Sequence, residues 1–416
     1  MSSIEYDPGA VRTDRTSPAA LTVQTGGSVA SIRLDFSAGG SMTLTSGGSG
    51  RWTASVPAAK LLSGYVAADV NHNFVGFLRL LGSGGETLAT YNSFINVVDG
   101  RVSMPPLRQI DATARAATRV LNLLRPTLTS DDVRSAVLAF YAYYRDDFDF
   151  VQVVYALPSY PANRYHFQVR NDVQGIGVAT LNESAQFGSA GKLKGITVFP
   201  IDTLFDLGES AFSHELGHQW INYLKNPALQ AGSPHWPPST MARGIMGFNI
   251  PGTSVGGNFP WQIDMVTPTT ARVTASTVSQ EFSDFDLYLM GFIPPSAVSP
   301  GIILQGTPCQ NCIVNAAPIT IADVIAANGP RVPDSSTSQK SFRIGTVVIS
   351  RDRLLTDDEL ATLDYFAARG ESISVLQYTS GFASGTTKPF YVATRHIGSV
   401  DFRLDPPPPK HRAARH

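Results

Sequence analysis

The sequence predicts an α+β protein in two parts. Apolar and polar residues alternate with a period of two over much of the first hundred positions. Near residue 105 that pattern gives way to helical spacings mixed with short apolar runs. In the first part, Ile32, Leu34 and Phe36 alternate with Arg33 and Asp35, Met42 and Leu44 flank Thr43, and Trp52, Ala54 and Val56 repeat the period. Apolar runs follow at 64–70, 74–81 and 87–98, and the glycine-rich turns SAGGS, SGGSG and GSGGE separate strands. Several short strands with such turns between them argue an all-β, immunoglobulin-like sandwich over residues 17–103. Residues 1–16 are polar and read as a flexible tail, and His72, in VNHNF, reads as a turn residue.

The second part runs over 104–404. QIDATARAATRVLNLL reads as a helix that stops before Pro126. A second helix begins at Ser130, a good N-cap, with Asp131 and Asp132 in its first turn and Val133, Val137, Phe140, Tyr141 and Tyr144 at helical spacing. FDFVQVVYAL (148–157) and KGITVFP (194–200) read as buried strands, and a helix from about Leu207 to Leu224 follows. Mixed strands and helices of this kind argue an α+β domain. The last residues, 405–416, form a Pro-rich basic tail, DPPPPKHRAARH, that should not pack.

Composition narrows the function. Net charge is −1, so there is no broad basic field for nucleic acid, and no apolar run is long enough to span a membrane. Charged residues make up only 16%, which leaves the surface to Ser, Thr, Asn, Gln and Gly, a composition frequent in secreted bacterial proteins. The N-terminal residues lack the apolar core of a signal peptide, so the protein is either cytosolic or a secreted or extracytoplasmic bacterial protein whose signal lies outside this chain. Cys309 and Cys312, in TPCQNC, are too few for a zinc site and suit a small local loop closure or free thiols.

Residues 213–220 read SHELGHQW. On a helix, positions i and i+4 share a face, so His214 and His218 can hold one ion through ring nitrogens. Glu215, rotated about 100° from His214, can approach a metal-bound water without ligating the metal. Two neutral ligands, an open position and a nearby carboxylate are what zinc-assisted hydrolysis needs, with Glu215 as the base. The plainer alternative is a helix that carries two histidines and no metal.

A zinc site needs a third protein ligand. His411 and His416 lie in the tail, His72 in the sandwich, His396 in an expected strand far downstream and His166 in an expected strand upstream. His235, in SPHW, remains, 17 residues beyond His218 across a loop long enough to turn back. The rival is Asp286 in EFSDFDLYLMGF, a helix with Ser283 as N-cap, where the carboxylate could equally complement the helix dipole. Tyr288 on the same helix could polarise a substrate carbonyl.

These residues together resemble the zincin metallopeptidases. ARGIMGFN places Met246 in a small-residue turn eleven residues after His235, similar to the methionine turn of the metzincin clan, and FSDFDLYLMGF is similar to the helix that follows that turn. The resemblance implies a zincin-type α+β peptidase domain with His214, His218 and His235 as zinc ligands, Glu215 as general base, Met246 beneath the metal and Asp286 bracing the turn. The chain departs from the metzincin pattern HExxHxxGxxH, having Ile221 and Leu224 where that pattern has its glycine and third histidine. Gluzincins and aspzincins keep HExxH with an acidic third ligand, which would favour Asp286. HELGHQW, SPHW, IMG and FSDFDLYLMGFIPPS, with VRNDVQGIG and FGSAGKLKGI upstream, also resemble a group of largely uncharacterised bacterial metallopeptidases over roughly 105–370. In zincins the strand before the active-site helix binds extended substrate, a part GITVFP could play.

The expected activity is therefore zinc-dependent endopeptidase hydrolysis of a protein or peptide substrate. The rivals are an inactive zincin-fold binding or adhesion protein, a metal-free structural protein, and a zinc hydrolase of small amides.

Overall fold

The computed structural model describes residues 3–14, 17–67, 70–157, 160–204, 210–380 and 383–404. The chain is a mixed α/β, sheet-rich protein. Its N-terminal portion holds two sheets. One has four antiparallel strands in the order Ser3–Asp7, Ala19–Gln24, Arg51–Val56, Thr45–Gly48. The other is built around the long antiparallel pair Val70–Leu81 and Thr87–Val98, with Ser31–Phe36 beside the former. Inward residues of both sheets, among them Leu21, Val23 and Val56 with Ile32, Leu34, Leu78 and Ile95, share one core. The alternation seen in the sequence is thus the alternation of core and solvent faces.

Three expectations for this portion need correction. The segment 1–16 is not a tail: Ser3–Asp7 pairs with Ala19–Gln24, and Ala10–Arg12 runs parallel to Thr87–Val98 with all three residues buried. Ile4 and Tyr6 alternate with Glu5 and pack on the core, so a period of two was present there but short. His72 lies within the strand Val70–Leu81 and stacks on Phe94 across the pair, rather than in a turn. The division at residue 103 is not clean either, because Tyr378–Ser380 adds in parallel to Val70–His72. Arg353 reinforces that junction by pairing with both Asp7 and Glu359, and Glu359 also accepts from the Gly9 amide.

An eight-stranded sheet forms the second portion, in the order Arg108–Asp111, Ala114–Ala116, Val120–Leu124, Ser341–Ser350, Phe150–Tyr155, Gly195–Pro200, Tyr165–Gln168, with Ser399–Asp401 also joined to Ser341–Ser350. The strands from Val120–Leu124 to Gly195–Pro200 are parallel, and Tyr165–Gln168 closes one side antiparallel. Phe150–Tyr155 and Gly195–Pro200 are buried at every residue, as a central strand covered on both faces must be. The helix Asp132–Tyr143 covers one face with Val137 and Phe140 against Val151, Val153, Ile196 and Val347. The other face takes Ala211 of the HELGH helix and Leu360 and Leu363 of the helix Asp357–Gly370.

The helix expected over QIDATARAATRVLNLL is instead three strands. Asp111 accepts from the amide and hydroxyl of Thr113 and makes a turn where a helix would have to continue. Asn122 then donates to Val348 O and accepts from the Leu355 amide, locking its strand beside Ser341–Ser350. Tertiary pairing overrides the helical propensity of the alanines. The next helix starts at Asp132 rather than from a Ser130 cap, and its Asp132 carboxylate folds back on the Thr129 amide and hydroxyl. The basic tail 405–416 lies outside the described residues.

Candidate metal centre

The HELGH helix runs only over Ala211–Gly217, and the expected positions 207–209 lie outside the described residues. Beyond Gly217 the chain tightens: His218 N donates to Glu215 O at 3.2 Å and Gln219 N to Leu216 O at 3.1 Å. Asn222, in a left-handed conformation (φ 77°), turns the chain away, which is why the helix stops short of Leu224. Leu216 is fully buried in the second portion's core, and that contact aims the opposite face outward.

The i, i+4 spacing survives this tightening. His218 Nε2 lies 3.3 Å from His214 Nε2. His235, brought back by the loop after Pro227–Gln230, places its Nε2 3.0 Å from His214 Nε2. The three half-buried residues offer nitrogen atoms that all lie within 4.8 Å of one another. The outer nitrogens of His214 and His235 face acceptors: His214 Nδ1 is 2.8 Å from Ile245 O, and His235 Nδ1 is 3.1 Å from Asn249 Oδ1. Those partners call for protons on Nδ1 and so leave Nε2 lone pairs turned toward the common centre. Burial, reinforced by His214 and His235, holds the His218 imidazole well below its usual pKa and therefore neutral. Lone pairs that converge in this way need a proton or a cation between them. A tetrahedral ion with nitrogen ligands at about 2.05 Å requires N···N separations of about 3.3 Å, close to the two distances from His214 Nε2 to His218 and His235. The three imidazoles could thus hold one zinc ion.

The supports of these ligands explain several of the other marked residues. A Cβ on Gly217 would lie 2.5 Å from Met246 Sδ, so the buried Met246 thioether sits directly against the helix between the two histidines, in the space a larger residue at 217 would need. The same turn supplies the Ile245 carbonyl to His214. Asp286 is fully buried, but it is not a ligand: one oxygen accepts from the Ser283 amide and hydroxyl and the other from Trp236 Nε1 at 2.9 Å. Its acidic-ligand role is corrected to that of a brace, which holds the residue next to His235. Burial pushes its carboxyl up to about 6. Tyr288 is also placed elsewhere, its hydroxyl accepting from the Arg331 amide at 3.1 Å. His396 lies in a left-handed turn, not a strand (φ 67°).

Glu215 is buried, and its Oε1 accepts from Arg164 Nε at 3.1 Å. Their side chains are 6% and 17% exposed, so this is not a solvent-screened surface pair. Nothing in PANRYHF marked Arg164 beforehand. Asn249 and the Ile245 carbonyl carried no signal either.

GITVFP cannot accept a further strand, because both of its edges are taken, by Phe150–Tyr155 and by Tyr165–Gln168. The terminal strand of the sheet order is Tyr165–Gln168. His166 on that strand ties it to the HELGH segment: Nε2 meets Gln219 Oε1 at 3.0 Å and Nδ1 meets Thr197 Oγ1 at 3.1 Å. Gly195 beneath makes room, since a Cβ there would lie 2.5 Å from Gln219 Oε1. Burial lowers the His166 pKa to about 4, so it is a neutral hydrogen-bonding group.

Compared with known proteins, the chain matches no protein-family model, no curated protein and no solved structure.

Proposed function

We propose that the chain is a zinc-dependent endopeptidase acting on protein or peptide substrates. The observation that carries this reading is the convergence of three Nε2 atoms from His214, His218 and His235 beside a buried glutamate. A zincin-type fold is part of the proposal, as is an immunoglobulin-like character for the N-terminal sheets. When bound, zinc supplies Lewis acidity and lowers the pKa of a water toward about 7. The chain supplies the rest. Ile245 O and Asn249 Oδ1 fix the tautomers of His214 and His235. Glu215 accepts the proton of the attacking water at its carboxylate and returns it to the leaving amine. The outer side of Tyr165–Gln168 offers a strand edge on which an extended peptide can lie.

Among the described residues no helix is long and apolar enough to cross a membrane. An extracytoplasmic location is also part of the proposal, and the Cys309–Cys312 disulfide, which suits an oxidising compartment, supports it. A second reading, a zincin-fold binding protein without turnover, is favoured by one observation, the guanidinium already engaged on Glu215.

Cleavage of an unfolded protein substrate separates the two. Wild type should cleave it, chelator should stop it, and Glu215→Gln should retain metal while turnover falls by about 10²–10⁴-fold. Metal bound at full stoichiometry with no cleavage by wild type would support the binding reading instead.

A further inference from the structure

The contact between Arg164 and Glu215 joins two parts of the site that the peptidase reading treats separately. A glutamate side chain has three torsions, and burial alone does not say where its oxygens point. The guanidinium is planar and rigid, so donation through Nε fixes direction as well as distance. Arg164 is the residue immediately before Tyr165, the first residue of the terminal strand. That strand is held in place by Tyr165–Val198 and His166–Thr197 register and by the His166–Gln219 contact. The carboxylate of Glu215 is therefore indexed to the backbone of the strand that ends this sheet among the described residues, the edge on which the peptidase reading lays an extended peptide.

We infer that Arg164 is a positioning residue, which sets the Glu215 carboxylate in register with the Tyr165–Gln168 strand so that base and docked peptide share one frame. The inference rests on the peptidase reading above. It also accounts for the engaged guanidinium without requiring an inactive protein: the pair orients the base rather than sequestering it. Misplacing a catalytic group by about 1 Å can cost about a hundredfold in rate, which is the scale of effect at stake.

The test uses the full chain carrying Arg164→Ala, Arg164→Lys and Glu215→Gln, alone and combined. Arg164→Ala should keep the wild-type metal stoichiometry. Its kcat should fall by about ten- to a hundredfold while KM changes by less than about threefold. Added guanidinium ion should restore part of kcat, and Arg164→Lys should fall between the two. A second readout needs no activity. Arg164→Ala should lower the thermal midpoint of the wild-type chain by several degrees and lower that of Glu215→Gln much less, because only the former removes a cation from a buried carboxylate. An unchanged kcat, or a raised KM at unchanged kcat, would overturn the inference, as would equal midpoint losses in both backgrounds. Absence of cleavage by wild type would overturn the peptidase reading and this inference with it. Cleavage by wild type with kcat unchanged in the Arg164 variants would overturn this inference alone.

Discussion

At Gly217 the site depends on a missing side chain. The Met246 sulfur occupies the space a Cβ would take, at 2.5 Å from that ideal position. Gly217→Ala should therefore destabilise the protein by about 1–3 kcal/mol as the methionine or the helix gives way. Metal affinity should fall as well, since His214 and His218 flank the displaced turn. Chemical denaturation and metal titration of the variant would check both, and a variant as stable as wild type would contradict the packing described. The HELGH histidines and glutamate were legible in the sequence because a helix of 3.6 residues per turn converts spacing directly into a shared face. Arg164 was not. Its importance arises from a strand and a helix meeting across the sheet, and no local pattern encodes that meeting. His235 was reachable only by elimination; its position depends on Asn222 gripping Pro234 O at 2.7 Å and Asn249 gripping the ring.

Among the elements, the helix Asp284–Met290 shows how one residue can support two reasonable sequence readings. Asp286 completes a capping box with Ser283, the N-cap the sequence suggested, and the same carboxylate reaches Trp236 beside His235. With its pKa raised by burial to about 6, the folded state holds that proton more tightly than the unfolded chain does. The stabilising contribution of this group is then fully present below the ordinary aspartate pKa and is lost as pH rises through about 6. The wild-type stability advantage over Asp286→Asn should shrink by up to about 3 kcal/mol between pH 4 and pH 7. Denaturant midpoints of both proteins across that range would show it, and a pH-independent difference would contradict it. Central strands were legible because every residue of FVQVVY is apolar or tucked between covered faces. The strands over residues 108–124 were hidden, since alanine-rich sequence favours helix locally and only the pairing of Val120–Leu124 with Ser341–Ser350 makes a strand there worthwhile. GITVFP was read correctly as a buried strand, but the substrate-binding part that the resemblance suggested for it does not fit a strand paired on both sides, because strand order is a property of the whole sheet.

The molecule as a whole is more integrated than its sequence suggests. A change of periodicity near residue 105 looks like a domain boundary. Yet the hairpin Leu376–Ser380 and Ala383–Thr387 extends the N-terminal sheet, and Arg353 joins Asp7 to Glu359 across the junction. The sequence could not show this, as the partners stand some three hundred residues apart and nothing in either segment names the other. Calorimetry of the full chain should accordingly show the two portions unfolding in a single cooperative transition, and two resolved transitions would contradict their coupling.

The central claim is that His214, His218 and His235 together hold one metal ion while Asp286 does not. Metal content of purified wild type, His235→Ala and Asp286→Asn, measured after identical exposure to zinc and removal of excess, tests it most directly. The account predicts one equivalent in wild type, one in Asp286→Asn and none in His235→Ala. Full occupancy in His235→Ala, or loss confined to Asp286→Asn, would contradict it.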